Sequence, residues 1–121
     1  MNTRKIGAEY EDYAARYLTQ AGYRIAARNF RCRQGEIDIA AWDLSKEKPC
    51  LVFVEVKYRR GRGAGYPEEG LTLRKRRTII RVAEFFCARY RIGSGTPCRF
   101  DVIAIEGSQI RHTQDAFQME P

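Results

Sequence analysis

The segment CLVFVEVKY, residues 50–58, does most to limit the fold of this chain, because its apolar content is nearly continuous. A run of this length is typical of a strand covered on both faces, since a strand with one face in water alternates apolar and polar residues. A chain of 121 residues has room for one domain around one core. We therefore expect a sheet with this strand at its centre. Glu55 and Lys57 interrupt the apolar run near its end.

Apolar periodicity and turn residues divide the rest of the chain into regular elements. They predict helices over about residues 4–21 and 71–91, and strands over 23–30, 36–42, 50–58 and 98–106. A short final strand pairing is expected near residues 109–113. The order α-β-β-β-α-β predicts an α/β sandwich with a central mixed sheet, partly antiparallel because two hairpin-like connections follow each other. A single domain is expected over residues 1–121, with a core at about 5–117 and a short C-terminal tail.

Each predicted helix carries a charged residue on the stripe that faces the sheet. In the first helix that residue is Glu11, and in the second it is Lys75, one turn before Ile79. The remaining stripe of the first helix comprises Gly7, Ala14, Leu18 and Ala21, and that of the second comprises Ile79, Ala83, Phe86 and Tyr90. Charged groups in such positions indicate either a functional site or an ion pair.

The strand pattern places three charged side chains together. Alternation puts Glu36, Asp38, Ala40 and Trp42 on one face of their strand, and Glu55 with Lys57 on one face of the next. If those faces align, Asp38, Glu55 and Lys57 meet at one end of the sheet, and Glu11 joins them from the helix. Clustered carboxylates repel, and Mg²⁺ would neutralise them while binding phosphate oxygens. The alternative is that Glu55 and Lys57 sit at a strand end and form a surface salt bridge with neighbouring residues.

The charge balance favours a polyanionic partner. The chain has 22 Lys and Arg against 15 Asp and Glu, a net charge of +7, which attracts phosphate backbones or anionic membrane surfaces. Because no leader-like segment and no run of 18 apolar residues occurs, we expect a cytoplasmic protein without a membrane partner. The predicted nucleic-acid contacts are Arg59, Arg60 and Arg62 in a glycine-rich loop over 59–70, and Arg74, Arg76 and Arg77 at the start of the second helix. A solvated loop and a solvated helix start are the alternatives.

Other polar and aromatic residues are assigned structural roles. Asp101 is predicted to pair with Arg99, and His112 to be an ordinary surface or strand-end histidine. The four cysteines lack metal-binding spacing and are expected to be reduced thiols, mostly in the core. The aromatic residues expected in or near the core are Tyr10, Tyr17, Phe85 and Phe86.

Asp38 followed by Glu55-Val56-Lys57 resembles the motif of the PD-(D/E)xK nuclease superfamily. Over about residues 5–117 the chain is similar to the YraN family of small bacterial proteins, most specifically in GEIDIA (35–40) and FVEVKYR (53–59), and also in CRFDVIAI (98–105) and Lys75. This family is related to archaeal-type Holliday junction resolvases. The resemblance implies the restriction-endonuclease-like fold, a three-layer α/β/α sandwich.

The resemblance also implies a role for each matched position. Asp38 and Glu55 would be metal ligands, Val56 would lend its backbone carbonyl, and Lys57 would be the catalytic lysine. Glu11 would support the metal from the first helix, and Lys75 would be the basic residue that the second helix directs at the site. The chain departs from the family at Tyr10-Glu11, where Gly-Glu is common, so that Glu9 is an alternative acid. Glu11 is preferred because it falls on the inward stripe.

These observations lead to the expectation of a Mg²⁺-dependent nuclease, with Mn²⁺ as a possible substitute, acting on structured or branched nucleic acid. DNA is favoured over RNA, and a homodimer is suggested by analogy with junction resolution. Two alternatives remain open at this point. One is a non-catalytic DNA- or RNA-binding module that retains the fold, and the other is a protein whose basic face meets an acidic protein partner.

Overall fold

The computed structural model of the chain describes residues 3–59 and 71–118, without the side chains of residues 3–6 and 59. Two helices and five strands make up the described residues, in the order α-β-β-β-α-β-β. They are α1 (Thr3–Gln20), β1 (Arg24–Cys32), β2 (Gly35–Asp43), β3 (Cys50–Arg59), α2 (Leu73–Arg89), β4 (Cys98–Glu106) and β5 (Gln109–Phe117). Thr72 caps α2 by accepting a hydrogen bond from Lys75 N at 3.1 Å.

All five strands form one sheet in sequence order, β1-β2-β3-β4-β5. Strands β1, β2 and β3 follow one another antiparallel, β3 and β4 are parallel with α2 between them in the chain, and β5 returns antiparallel. A parallel pair requires a crossover connection, and α2 belongs to it. The predicted mixed sheet with β3 at its centre is confirmed.

The two helices cover opposite faces of the sheet and close two hydrophobic clusters. The α1-face cluster joins α1 to the sheet through Ala14, Leu18, Ile39, Val54 and Ile103, among others. The α2-face cluster joins Ile79, Val82, Ala83 and Phe86 to Phe53, Phe100 and Phe117, among others. The α/β fold class is therefore confirmed, with a helix on each face of the sheet. Neither helix is long and apolar enough to cross a membrane, as judged on the described residues.

Several local expectations need correction. The final pairing near residues 109–113 is a full strand of nine residues. His112 is not a surface histidine, since its side chain is 7% exposed and is bonded to Asp101. Tyr90 and Phe85 were expected in or near the core but are 51% and 40% exposed. The buried face of α2 includes Val82 in place of these two residues. The predicted pairing of Arg99 with Asp101 is confirmed at 2.8 Å.

Candidate functional site

Asp38 lies where β2 separates from β3. The β2–β3 ladder starts only at Ile39↔Val54, and the β1–β2 ladder passes from Arg28↔Ile39 directly to Phe30↔Ile37. Asn29, in the omitted position of β1, has a positive φ of 52°, which non-glycine residues seldom adopt. Asp38 Oδ2 instead accepts a hydrogen bond from Val56 N at 2.8 Å. The carboxylate thus bridges to β3 at the point where the strands diverge.

This irregularity interrupts the alternation that the sequence predicts for β2. Ile37 packs in the α2-face cluster together with Ala40, whereas Ile39 and Ala41 pack in the α1-face cluster. Strict alternation would have placed Ile37 with Ile39. The assignment of Glu36, Asp38, Ala40 and Trp42 to one face is therefore wrong: Glu36 and Asp38 line a cavity with residues of α1, whereas Ala40 and Trp42 pack in the α2-face cluster. The departure coincides with the gap that both ladders show at Asp38 and with the positive φ of Asn29 on β1.

Glu55, Lys57 and Lys75 meet on the other side of the point where β2 and β3 separate, and we call this region, with Asp38 and Glu11, the corner. Glu55 is 9% exposed, and its Oε1 lies 3.3 Å from Lys75 Nζ and 3.7 Å from Lys57 Nζ. Lys75 reaches it from the first turn of α2, and the charge of Glu55 is the main reason that the pKa of Lys75 is raised. The structure brings together Glu55, Lys57 and Lys75 as the sequence predicts.

Glu11 occupies the inward stripe of α1 and is 7% exposed, whereas Glu9 is exposed. Its Oε1 lies 3.4 Å from Arg28 Nε on β1, but no hydrogen bond to that buried oxygen is formed. Burial raises the pKa of Glu11, while Arg28 acts in the opposite direction. Arg28 is a component of this corner that the sequence analysis did not assign to the site; the available signal was an arginine on β1 beside a helix that carries Glu11 on its inward stripe.

The carboxylate of Asp38 is held in an unfavourable environment. Burial is the main cause that raises its pKa to about 7, and the charge of Glu55 is the next; the hydrogen bond from Val56 N opposes both. A carboxylate in this position therefore has a strong affinity for a proton or another cation near neutral pH. This property is characteristic of functional sites as well as of some structural ion clusters.

The donor set at this corner fits a hard divalent cation. Mg²⁺ usually takes one or two carboxylates and fills its other positions with water and phosphate oxygens. Asp38 and Glu55 would hold it, because Asp38 is bonded to Val56 N, the residue after Glu55, and burial together with the charge of Glu55 raises the pKa of Asp38. Within residues 3–59 and 71–118, no three carboxylate, imidazole or thiolate groups are gathered as a complete cation site. The buried, unbonded Oε1 of Glu11 is the further acceptor nearby.

The predicted nucleic-acid contacts are only partly described. Arg60, Arg62 and most of the glycine-rich loop lie outside the described residues, as does the side chain of Arg59. Arg74 and Arg77 are exposed on α2. Arg76 differs, because its guanidinium lies 5.9 Å from the centroid of the Phe117 ring and its Nε is buried without a hydrogen bond. Arg76 therefore packs against the protein and is less accessible to a phosphate than Arg74 and Arg77.

Replacing Asp38 by an uncharged residue should stabilise the fold above about pH 7, where the Asp38 carboxylate is ionised. Its pKa is raised, so the native state binds a proton that the unfolded chain has released, and native stability falls as pH rises from about 4 to about 7. The measured quantity is the free energy of unfolding of Asp38→Asn minus that of the wild type, both in EDTA. We expect this difference to increase by about 2 kcal/mol between about pH 5 and about pH 8. Urea titrations followed by circular dichroism measure this difference. A pH-independent difference would show that Asp38 titrates normally.

Fold and corner together define a small basic α/β domain in which Glu55 of the central strand meets lysines from β3 and α2, and Asp38 of β2 is bonded to the backbone of the same strand. The model of the family described as "Uncharacterised protein family UPF0102" matches residues 10–105, and the chain belongs to this family. This confirms the resemblance to the YraN family. A UPF0102 protein of Lachnoclostridium phytofermentans is 46% identical over 117 residues, which cover 97% of this chain and 96% of the relative. A UPF0102 protein of Symbiobacterium thermophilum is 50% identical over 105 residues, 86% of this chain and 84% of the relative.

Proposed function

We propose that this protein is a Mg²⁺-dependent nuclease that hydrolyses phosphodiester bonds in structured or branched nucleic acid, with DNA as the favoured substrate. The single observation that supports it most is that Asp38, where β2 and β3 separate, is bonded to Val56 N between Glu55 and Lys57 in β3 and feels the charge of Glu55. The net charge of +7 supports a polyanionic substrate. The carboxylates would otherwise work against the fold, because burial and mutual repulsion raise the pKa of Asp38.

Each residue of the corner has a distinct part in this proposal. Asp38 and Glu55 hold the cation, and the Val56 N–H fixes the orientation of Asp38. A divalent cation bound there would supply Lewis-acid stabilisation of the phosphate and activation of water. Lys57 orients the attacking water and offsets negative charge that develops on the phosphate. Lys75, which is nearer to Glu55 than Lys57 is, holds that carboxylate in place and leaves Lys57 available for the substrate.

A specific observation favours the second candidate, a binding module without catalysis. Both lysines already lie within 4 Å of Glu55, so that this carboxylate has partners in the absence of any cation. In that case the acids serve the fold, and the exposed arginines of α2 bind the phosphate backbone. Steep salt dependence of binding is expected for both candidates, and only cleavage separates them.

The test is a cleavage assay of the purified protein on single-stranded, duplex and four-way-junction DNA and on structured RNA. Each substrate is incubated with Mg²⁺, Mn²⁺ or EDTA. We expect cleavage with Mg²⁺ or Mn²⁺, and its loss in EDTA, because the two carboxylates alone cannot activate water or neutralise the phosphate. Salt-sensitive binding without cleavage of any substrate would contradict the nuclease and support the binding module. The absence of binding would contradict both.

A further inference from the structure

The rings of Tyr10 and Tyr58 form a stack beside the candidate site that the proposed chemistry does not use. Their centroids are 4.3 Å apart and their planes differ by 9°. Tyr10 comes from α1 and Tyr58 from β3, so the stack spans a helix and the central strand. Tyr10 also packs against the α1-face cluster, whereas Tyr58 is exposed, so a flat aromatic group can extend the stack from the side of Tyr58.

The position of the stack relates it directly to the corner. Tyr10 and Tyr58 line the same cavity as Glu11, Asp38 and Val56, and Tyr58 follows Lys57 in the chain. The stack therefore forms part of the wall of the cavity that contains Asp38.

The exposure of Tyr58 argues against a purely structural role. It is 38% exposed, while the large rings Phe53, Phe86 and Phe100 are buried in the α2-face cluster. Helix α1 is already attached to the sheet through Ala14 and Leu18, both of which are fully buried. Attachment of α1 to the sheet therefore does not depend on the Tyr10–Tyr58 contact alone.

We propose that Tyr10 and Tyr58 form a stacking platform for an unpaired nucleobase of the substrate. This inference rests on the proposed function and makes it more specific. Stacking on an aromatic ring accepts any base, but it requires a base that has left its duplex stack. Single-stranded segments, such as those at branch points, are accordingly the preferred ligands over continuous duplex.

The experiment compares binding of a fluorescent single-stranded oligonucleotide with binding of the same oligonucleotide made abasic at its central positions. Titrations in Ca²⁺ and in EDTA measure affinity without cleavage by Mg²⁺. The wild type should bind the base-containing strand about tenfold more tightly. The variant Tyr58→Leu should lose that advantage, while Tyr58→Phe should keep it because the ring remains. The salt slope should be the same for all three, since phosphate contacts are unchanged.

Tyr90→Leu is the matched control. Tyr90 is also an exposed tyrosine, but it follows the end of α2, 15 positions after Lys75 and so about 22 Å away along the helix. We expect it to bind both oligonucleotides as the wild type does.

The outcomes separate the platform from the proposed function. Equal affinities of the wild type for the two oligonucleotides would overturn the platform, as would an equal loss on both in a Tyr58→Leu variant that circular dichroism shows to be folded, and either would leave the nuclease untouched. No salt-dependent binding by the wild type would overturn both. The comparison of the two oligonucleotides on the wild type requires no variant, so a folding defect in Tyr58→Leu does not prevent a decision.

Discussion

Asp38→Asn and Glu55→Gln should each lower Mg²⁺-dependent cleavage by at least about a hundredfold. Each substitution retains the size of the side chain and removes one negative charge from the corner. The amides are poor ligands for a hard cation, and neither can replace the charge that holds it. Initial rates on the substrate that the wild type cleaves best measure the effect, and circular dichroism shows whether each variant is folded.

Glu84→Gln provides the control for this prediction. Glu84 is exposed on α2, so the substitution makes the same change in net charge without altering the corner. We expect it to cleave at the wild-type rate. Full activity of Asp38→Asn or Glu55→Gln would remove that residue from the reaction, and an equal loss in Glu84→Gln would indicate a nonspecific effect of charge.

Arg99→Met should lower the free energy of unfolding by about 3–5 kcal/mol, because it leaves buried carboxylates without their counterion. Arg99 Nε donates to Asp101 Oδ1 at 2.8 Å, and its terminal nitrogens donate to Asp43, Asp101 and Tyr23 at 2.8–2.9 Å. The Asp101 side chain is fully buried. Burial alone would raise the pKa of Asp101, but His112 and Arg99 hold it below its usual value. Urea unfolding followed by the fluorescence of Trp42, the single tryptophan, measures the loss.

Two further variants define what the guanidinium contributes. Arg99→Lys retains the charge but not the fork of donors, so its loss of stability should lie between those of the wild type and Arg99→Met. Arg81→Met removes an exposed arginine from α2 and should change stability by less than about 0.5 kcal/mol. A loss below about 1 kcal/mol in Arg99→Met would show that water replaces the missing partner.

The sheet could be predicted from the sequence where apolar content decides the structure. β3 was recognisable because Leu51, Val52, Phe53 and Val54 leave no polar face, and the structure buries all four. β5 was harder to predict, because this edge strand is mostly polar and Phe117 is its one buried residue. Its pairing with β4 depends on partners that are distant in the chain, which local patterns do not reveal.

The site could be predicted as a set of residues but not in its geometry. The chemical types of Asp38, Glu55, Lys57 and Lys75 stood out because they interrupt apolar patterns. The positive φ of Asn29 did not, since nothing in the local sequence requires it. His112 was misjudged for a related reason, because its burial depends on Tyr17 and Asp101, which contact it from α1 and β4.

The residues of the corner come from elements on both faces of the sheet. Tyr10 and Glu11 are positioned by the helix of the α1-face cluster, and Lys75 by the helix of the α2-face cluster. Because the sheet separates the clusters, a change of side-chain volume in one of them shifts one wall of the site relative to the other. Interior substitutions far from any charged group therefore offer a means to adjust the spacing of the two walls, and with it the shape of ligand that the corner accepts.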